Sequence, residues 1–114
     1  MADCLFCRIA RKEIPAKILY EDDTVVAFAD VNPQAPVHAL IVPREHFETL
    51  SDMSAEHEQI LGHVVVAATR LAETQGLKEK GFRLVANCRS GAGQSVFHVH
   101  FHILGGRSLA WPPG

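Results

Sequence analysis

The chain has 114 residues, of which 47% are hydrophobic and 21% are charged, and this composition indicates a single globular domain. The formal net charge of −2 provides no basic surface of the kind that grips nucleic acid, so no nucleic-acid partner is expected. No apolar run is long enough to span a bilayer, so no membrane partner is expected. The N-terminal segment lacks the charged and apolar regions of a signal peptide, which predicts a cytoplasmic protein.

Two helices and five strands are predicted in chain order. A short helix is expected at residues 5–12, and Ile14-Pro15 ends it. A long helix is expected from an N-cap at Ser54 to a stop at Gly76. The strands are predicted at residues 18–20, 24–29, 37–42, 82–86 and 96–104. Because the connections between consecutive strands are too short for crossovers, the sheet should be five-stranded and antiparallel, and the fold class α+β.

The long helix carries a wide apolar surface. Two adjacent rows of apolar side chains lie along it. One row consists of Ile60, Val64, Ala67 and Leu71, and the other of Leu61, Val65, Ala68 and Ala72. Such a helix is either deeply buried or packs on two sides, once on its own sheet and once on another subunit.

Three histidines, His98, His100 and His102, alternate along the last predicted strand. On one strand they would share a face, with successive Cα atoms roughly 6.6–6.8 Å apart. A solvated strand face and a metal site are the alternatives to catalysis. A glycine-containing loop, Gly91–Ser95, directly precedes them and is able to present backbone N–H groups to a phosphate. Neutral imidazole is nucleophilic near pH 7, so the central histidine can attack phosphorus while its neighbours orient the site or donate protons.

The run from Gly93 to Arg107 resembles the signature of the histidine triad (HIT) family, and Trp111–Gly114 resembles the ending of its Hint branch, the purine nucleoside phosphoramidases. The similarity extends over nearly the whole chain. Further matching segments are Phe6, residues 12–17, residues 21–23, Ala27-Phe28, residues 33–36 and Val42-Pro43.

The resemblance implies catalytic roles for five residues. His100 would be the nucleophile that becomes nucleotidylated, and His102 would contact the scissile phosphate. His98 and His38 would support and orient the imidazole network. Ser95 would donate a proton to the leaving amine or to the phosphate. No cofactor is expected to be required for this catalysis.

The resemblance also implies a nucleotide site. Asp30 would accept hydrogen bonds from the ribose hydroxyls, as a carboxylate does in dinucleotide-binding folds. Asn87, Gly93 and Gln94 would hold the phosphate and ribose side. The base pocket would be walled by Leu5, Phe6, Ile9, Phe28 and Val31.

The family further implies a homodimer whose two sheets join into one continuous sheet of ten strands. That assembly fits the wide apolar surface of the long helix. The C-terminal Trp111 would then reach the partner's site and help to select the leaving group.

Four residues form a potential zinc site. Cys4 and Cys7 have a zinc-compatible spacing, although two ligands are only half a site. In family members that keep this pair, the ion is completed by residues that correspond to His46 and His98. If zinc is bound, His98 is a ligand and anchors the catalytic segment; otherwise the cysteines are free thiols.

These features predict hydrolysis of the phosphorus–nitrogen bond in a purine nucleoside 5′-phosphoramidate, an AMP-amine, through a nucleotidyl-histidine intermediate. One alternative is a dinucleoside polyphosphate hydrolase or nucleotidyltransferase. Another is a non-catalytic nucleotide-binding scaffold.

Overall fold

The computed structural model describes residues 4–114, so the first three residues of the segment predicted to lack a signal peptide lie outside the described part. Helix α1 spans Leu5–Ala10 and helix α2 spans Glu58–Thr74. The five strands are β1 (Ile18–Glu21), β2 (Val25–Ala29), β3 (Val37–Pro43), β4 (Arg83–Val85) and β5 (Phe101–Gly105). Short 3₁₀ turns lie at Leu50–Asp52, Ala55–His57 and Ser90–Ala92. No helix in residues 4–114 is both long enough and apolar enough to cross a membrane.

The strands form one antiparallel sheet in the order β1-β2-β3-β5-β4. In the pairing of β3 with β5, His38 lies opposite Leu104 and Leu40 lies opposite His102. His38 and His102 are therefore diagonal neighbours, a spacing at which long or aromatic side chains still meet.

Helices cover both faces of the sheet. On one face, the apolar residues of α2 pack on the odd-numbered side chains of the central strands, among them Val25, Ile41 and Ile103. On the other face, Phe6 and Ile9 of α1 are in a separate cluster with even-numbered side chains of β2 and β3. This division follows from the two-residue period of a strand, and it leaves His38 and His102 on the α1 face.

The predicted helices and the first four strands are confirmed, with ends that shift by a few residues. Ser54 caps a 3₁₀ turn that leads into α2, and Gly76 follows the end of that helix. Within α2, Val64, Ala67, Ala68, Leu71 and Ala72 are buried.

The predicted strand at residues 96–104 is wrong over its first half, because β5 begins only at Phe101. The N–H of Val99 donates to the carbonyl oxygen of Phe47 at 2.7 Å instead of joining the ladder with β3. The carbonyl oxygen of Pro43 accepts a hydrogen bond from the His98 ring. Proline has no N–H to donate to a partner strand. His98 and His100 consequently lie outside the strand, and only His102 belongs to it.

Candidate active site

A cavity of about 360 Å³ opens on the α1 face of the sheet. This volume is within the range of small-molecule sites. Its lining is largely apolar, with four polar residues. The polar groups are Asp30, Ser95, His100 and His102, and the remainder is Leu5, Phe6, Ile9, Ile14, Pro15, Ala16, Phe28, Ala29, Val31, Leu40 and Val96.

The ring of His100 is oriented by the backbone of His98. Its Nδ1 lies 2.7 Å from the carbonyl oxygen of His98. Because a carbonyl oxygen only accepts, Nδ1 carries the proton and Nε2 carries the lone pair. The His100 ring also makes an edge-to-face contact with the Phe6 ring, with ring centroids 5.0 Å apart and planes at 87°. His100 lines the cavity, and Nε2 is the ring nitrogen that keeps a free lone pair.

His102 and His38 form an imidazole pair beside His100. His38 Nε2 lies 2.9 Å from His102 Nδ1 and 3.3 Å from a carboxylate oxygen of Asp30. Burial, followed by repulsion from His100 and His38, lowers the pKa of His102 to about 4. His102 is therefore neutral near pH 7 and offers a single N–H.

The ring of His98 faces away from this pair and belongs to a second cluster. His98 is fully buried, and its Nε2–H donates to the carbonyl oxygen of Pro43 at 2.7 Å. Its unprotonated Nδ1 lies 3.3 Å from Cys4 Sγ, 3.5 Å from Cys7 Sγ and 3.1 Å from His46 Nδ1. Burial lowers the pKa of His98 to about 4, which keeps the ring neutral.

The four donor atoms of this second cluster lie within 4.8 Å of one another, and four of their six separations compare closely with the edges of a zinc tetrahedron. Zn–S and Zn–N bonds of roughly 2.3 and 2.0 Å imply S···N edges of about 3.5 Å and an N···N edge of about 3.3 Å. The observed S···N separations are 3.3–3.5 Å and the N···N separation is 3.1 Å. A metal-ligating histidine usually donates its other ring N–H to an acceptor, which fixes the coordinating tautomer. The carbonyl oxygen of Pro43 is such an acceptor for His98. The residues therefore fit a structural zinc ion.

The loop before the histidines is built around Gln94. Its buried side chain accepts from the N–H of Arg89 at 2.6 Å and donates to the carbonyl oxygens of Glu48 and Val96 at 2.7 and 3.1 Å. All of these partners are backbone groups, so Gln94 shapes the loop that places Ser95 at the cavity.

Asn87 braces the same loop from the side. Its amide nitrogen donates to the carbonyl oxygen of Ala92, while its Oδ1 is the one buried side-chain oxygen or nitrogen without a partner in residues 4–114. Gly93 has a φ of +94°, and a Cβ there would lie 3.2 Å from the Asn87 amide nitrogen. Glycine thus permits both the left-handed backbone and the close approach of Asn87.

The HIT domain model matches residues 11–109. The chain is 49% identical to a purine nucleoside phosphoramidase from Escherichia coli over 107 residues, which cover 94% of this chain and 90% of the relative. It is also 51% identical to an uncharacterised HIT-like protein from Synechococcus elongatus, over 98% of this chain and 97% of the relative. The chain belongs to the HIT family.

Solved HIT structures share the complete architecture. A HIT family hydrolase from Legionella pneumophila superposes with a TM-score of 0.97 at 48% identity, covering 98% of this chain and all of the other. A histidine triad protein from Clostridium difficile gives a TM-score of 0.94 at 44% identity, covering 96% of each chain.

The HIT fold brings nine of the predicted site residues to one cavity. They are Leu5, Phe6, Ile9, Phe28, Asp30, Val31, Ser95, His100 and His102. His38 contacts His102 but does not line the cavity. His98 belongs to the cluster with Cys4, Cys7 and His46. Asn87, Gly93 and Gln94 lie outside the cavity lining. Trp111 is 81% exposed and also lies outside it.

Six lining residues are absent from the sequence-based set: Ile14, Pro15, Ala16, Ala29, Leu40 and Val96. Leu40 is recognisable only once the β3–β5 register places it opposite His102. In the sequence, Ile14 and Pro15 carried the signal of a helix end. That signal does not reveal that the chain then passes beside the cavity.

Proposed function

We propose that this HIT protein is a hydrolase of purine nucleoside 5′-phosphoramidates and that His100 is its nucleophile. In the first step, His100 Nε2 bonds to the α-phosphorus and the phosphorus–nitrogen bond breaks. The nitrogen leaves as an amine after taking up a proton. In the second step, water attacks phosphorus, the bond to His100 breaks, and the nucleoside monophosphate is released.

The observation that carries this proposal is the 2.7 Å contact between His100 Nδ1 and the His98 carbonyl oxygen. With the proton on Nδ1, the lone pair on Nε2 is free to attack, and His100 lines the cavity. The same contact stabilises positive charge on the ring as Nε2 becomes bonded to phosphorus, since Nδ1–H then donates more strongly.

His102 and Ser95 supply the remaining polar groups at the reacting end. A neutral His102 with its proton on Nε2 donates to a phosphate oxygen, where negative charge builds in the transition state. The Ser95 hydroxyl, which lines the cavity, donates to the leaving nitrogen or to the phosphate.

The rest of the cavity suits a nucleoside. Its apolar walls, which include Phe6, Ile9 and Phe28, match the faces of a purine base. Asp30 also lines the cavity, and its carboxylate is an acceptor for a ribose diol. The 49% identity to a phosphoramidase favours a phosphorus–nitrogen substrate over a polyphosphate.

Intact-mass spectrometry of enzyme quenched during turnover of an adenosine 5′-phosphoramidate tests the intermediate. We expect an AMP adduct that peptide mapping places on His100 and that is absent from His100→Ala. His63→Gln is the matched histidine control, because His63 lies on α2 away from the cavity, and it should retain the adduct. An adduct on another residue, or turnover by His100→Ala, would contradict the mechanism.

Parallel turnover measurements test the substrate class. Adenosine phosphoramidate should be turned over much faster than diadenosine polyphosphate. The reverse preference would favour a dinucleoside polyphosphate hydrolase. Nucleotide binding without any turnover would favour a scaffold.

We further propose that Cys4, Cys7, His46 and His98 hold a structural zinc ion. The donor separations and the bond from His98 to Pro43 support this assignment. When bound, zinc supplies a rigid cross-link between α1, the segment after β3 and the segment before β5. His98 is then a ligand and takes no part in proton transfer.

We also propose a homodimer in which two β4 strands pair to give a ten-stranded sheet. The outer edge of β4 has no partner strand in residues 4–114, and Val65 and Val66 on α2 are 40% and 51% exposed. Exposed apolar side chains and an open strand edge each favour association. The exposed Trp111 is then available to the partner's cavity. Sedimentation velocity should give a dimer, and Val66→Glu should shift it toward monomer.

A further inference from the structure

A line of hydrogen bonds links the segment after β5 to His102. Arg107 Nε donates to the carbonyl oxygen of Gln34 at 3.0 Å. The N–H of Gln34 donates to His38 Nδ1 at 3.0 Å. His38 Nε2 lies 2.9 Å from His102 Nδ1. Arg107 and Gln34 are both exposed and neither lines the cavity.

The direction of each bond follows from the backbone amide of Gln34. A backbone N–H can only donate, so His38 Nδ1 accepts and its single proton sits on Nε2. His38 Nε2 then donates to His102 Nδ1. His102 therefore holds its own proton on Nε2, which has no hydrogen-bond partner among the described residues and is not fully buried.

The position of that proton decides what His102 offers to a substrate. Neutral His102 presents either an N–H or a lone pair at Nε2, depending on its tautomer. Only the N–H is attractive to a phosphate oxygen. Asp30, whose carboxylate lies 3.3 Å from His38 Nε2, competes for the same proton, so the His38–His102 bond depends on a well-fixed His38 ring.

The loop that carries the Gln34 amide is held from outside by the residues after β5. Pro33 and Pro36 flank it, and neither has an N–H to substitute for that of Gln34. Gly106 crosses the loop with a φ of +90°, and a Cβ at Gly106 would lie 2.9 Å from Pro36 Cβ. Arg107 follows at once, and no carboxylate in residues 4–114 forms an ion pair with it. Its guanidinium instead donates to the backbone of Gln34 and of Ser108.

We propose that Arg107 is a positioning residue for His102. It holds the Gln34 backbone so that the Gln34 N–H fixes the tautomer of His38, which in turn places the proton of His102 on Nε2. The catalytic consequence rests on the proposed function, whereas the tautomers themselves are a property of the free protein.

Long-range ¹H–¹⁵N correlation spectra of the imidazoles, recorded on the full chain without substrate, test the proposal directly. His38→Asn and His102→Asn assign the signals. In the unaltered protein, both rings should show the Nε2–H tautomer. In Arg107→Ala, both rings should lose that single tautomer and show averaged nitrogen shifts.

Two matched variants separate positioning from general support of the tail. Arg83 also donates to tail carbonyl oxygens, those of Leu109 and Ala110, but it makes no hydrogen bond to Gln34. Arg83→Ala should leave both tautomers unchanged. Within the loop, Gln34→Pro removes the N–H and should reproduce the Arg107→Ala spectrum, whereas Gln34→Ala keeps the N–H and should not.

Kinetics give the second readout. Arg107→Ala should lower kcat about tenfold with KM changed less than about twofold, at the low end of the range found when outer partners of metal-ligating histidines are lost. An Nδ1–H tautomer for His38 in the unaltered protein would overturn the proposal. Unchanged tautomers in Arg107→Ala would also overturn it. So would an equal loss of the Nε2–H tautomers in Arg83→Ala. Failure of phosphoramidate turnover with the predicted tautomers intact would count against the proposed function alone.

Discussion

His98 and His100 are coupled through the backbone, because the Nδ1–H of His100 donates to the carbonyl oxygen of His98 at 2.7 Å. The ring of His98 points the other way and contacts Cys4, Cys7 and His46. One residue thus connects the proposed metal cluster to the proposed nucleophile, its side chain anchoring the segment and its carbonyl fixing the imidazole.

Cys7→Ser should therefore affect metal content, stability and turnover together. Protein purified without chelator should contain one zinc per chain, and the variant much less. Free zinc at 100 times its Kd stabilises a folded protein by about 2.7 kcal/mol, and about 1 kcal/mol shifts Tm by roughly 4–8 °C in a domain of similar size. We expect Tm to fall by about 10 °C or more and kcat to fall with it, because the His98 carbonyl loses its anchor.

Cys88→Ser is the matched control for this experiment. Cys88 contacts Ser51 and lies outside the cluster, so its variant should keep the zinc, the Tm and the turnover of the unaltered protein. Equal zinc content and Tm in Cys7→Ser and the unaltered protein would eliminate the structural zinc site.

The alternation of the three histidines indicates a candidate site, but it does not predict the geometry of that site. Period-two spacing places His98, His100 and His102 on one strand face, whereas the strand begins only at Phe101. The ladder ends there because the carbonyl oxygen of Pro43 accepts from the His98 ring and the Val99 N–H donates to Phe47. These are long-range bonds that no local pattern contains.

The apolar segments were easier to predict than the polar contacts. Strand alternation and helical periodicity predict two helices and an antiparallel sheet, because those signals lie within short windows. Which residues share the cavity depends on register, which places Leu40 opposite His102. The role of Gln94 was unpredictable for a related reason: its buried amide bonds to backbone groups up to 46 positions away.

Ser95→Ala should lower kcat in a way that depends on the leaving group. Ser95 lines the cavity, and its hydroxyl makes no hydrogen bond to residues 4–114. An alkylamine leaving group needs a proton as the bond to phosphorus breaks, whereas a weakly basic arylamine needs it less. We expect a loss of about 10²-fold for alkylamines, typical of general acid catalysis, and a much smaller loss for arylamines.

The control for this series is Ser90→Ala, which alters the same loop outside the cavity lining. With each amine class, its kcat should equal that of the unaltered protein. A uniform loss in Ser95→Ala across leaving groups of different basicity would assign Ser95 to phosphate binding rather than to protonation of the amine.

Asp30→Asn should weaken binding of ribonucleotides specifically. One carboxylate oxygen of Asp30, which lines the cavity, accepts from the N–H of Asn32 at 2.8 Å, and the other lies 3.3 Å from His38 Nε2. A hydrogen bond to a charged group contributes about 1.5–3 kcal/mol, so Kd for AMP should rise roughly 10-fold to 100-fold. Calorimetry with 2′,3′-dideoxy-AMP supplies the comparison, since that ligand should bind both proteins equally. A similar loss for both ligands would refute the assignment of Asp30 to the ribose.

The last prediction concerns stability in acid and rests on Asp22, which joins the β1–β2 turn to α2. Burial opposes ionisation of Asp22, but hydrogen bonds from Tyr20, the N–H groups of Val25 and Thr24, and His63 outweigh it and hold its pKa well below the usual value. A carboxyl group with a lowered pKa in the folded state contributes stability above its unfolded pKa of about 3.9. That contribution is lost as the pH falls from there through the folded pKa.

Asp22→Asn should accordingly destabilise the protein near neutral pH and flatten the decline in stability below about pH 4. We expect the free energy of unfolding at pH 7 to fall by roughly 1–2 kcal/mol. This is less than hydrogen bonds to a charged group can contribute, because solvent screens the partly exposed site. Urea unfolding at a series of pH values measures both effects. Asp23→Asn is the matched control, because Asp23 is exposed and adjacent but makes none of these bonds, and its stability curve should follow that of the unaltered protein. If the stability curves of Asp22→Asn and Asp23→Asn coincided, the hydrogen bonds to Asp22 would add nothing to stability. The loss of one negative charge, which both variants share, would then account for the whole effect.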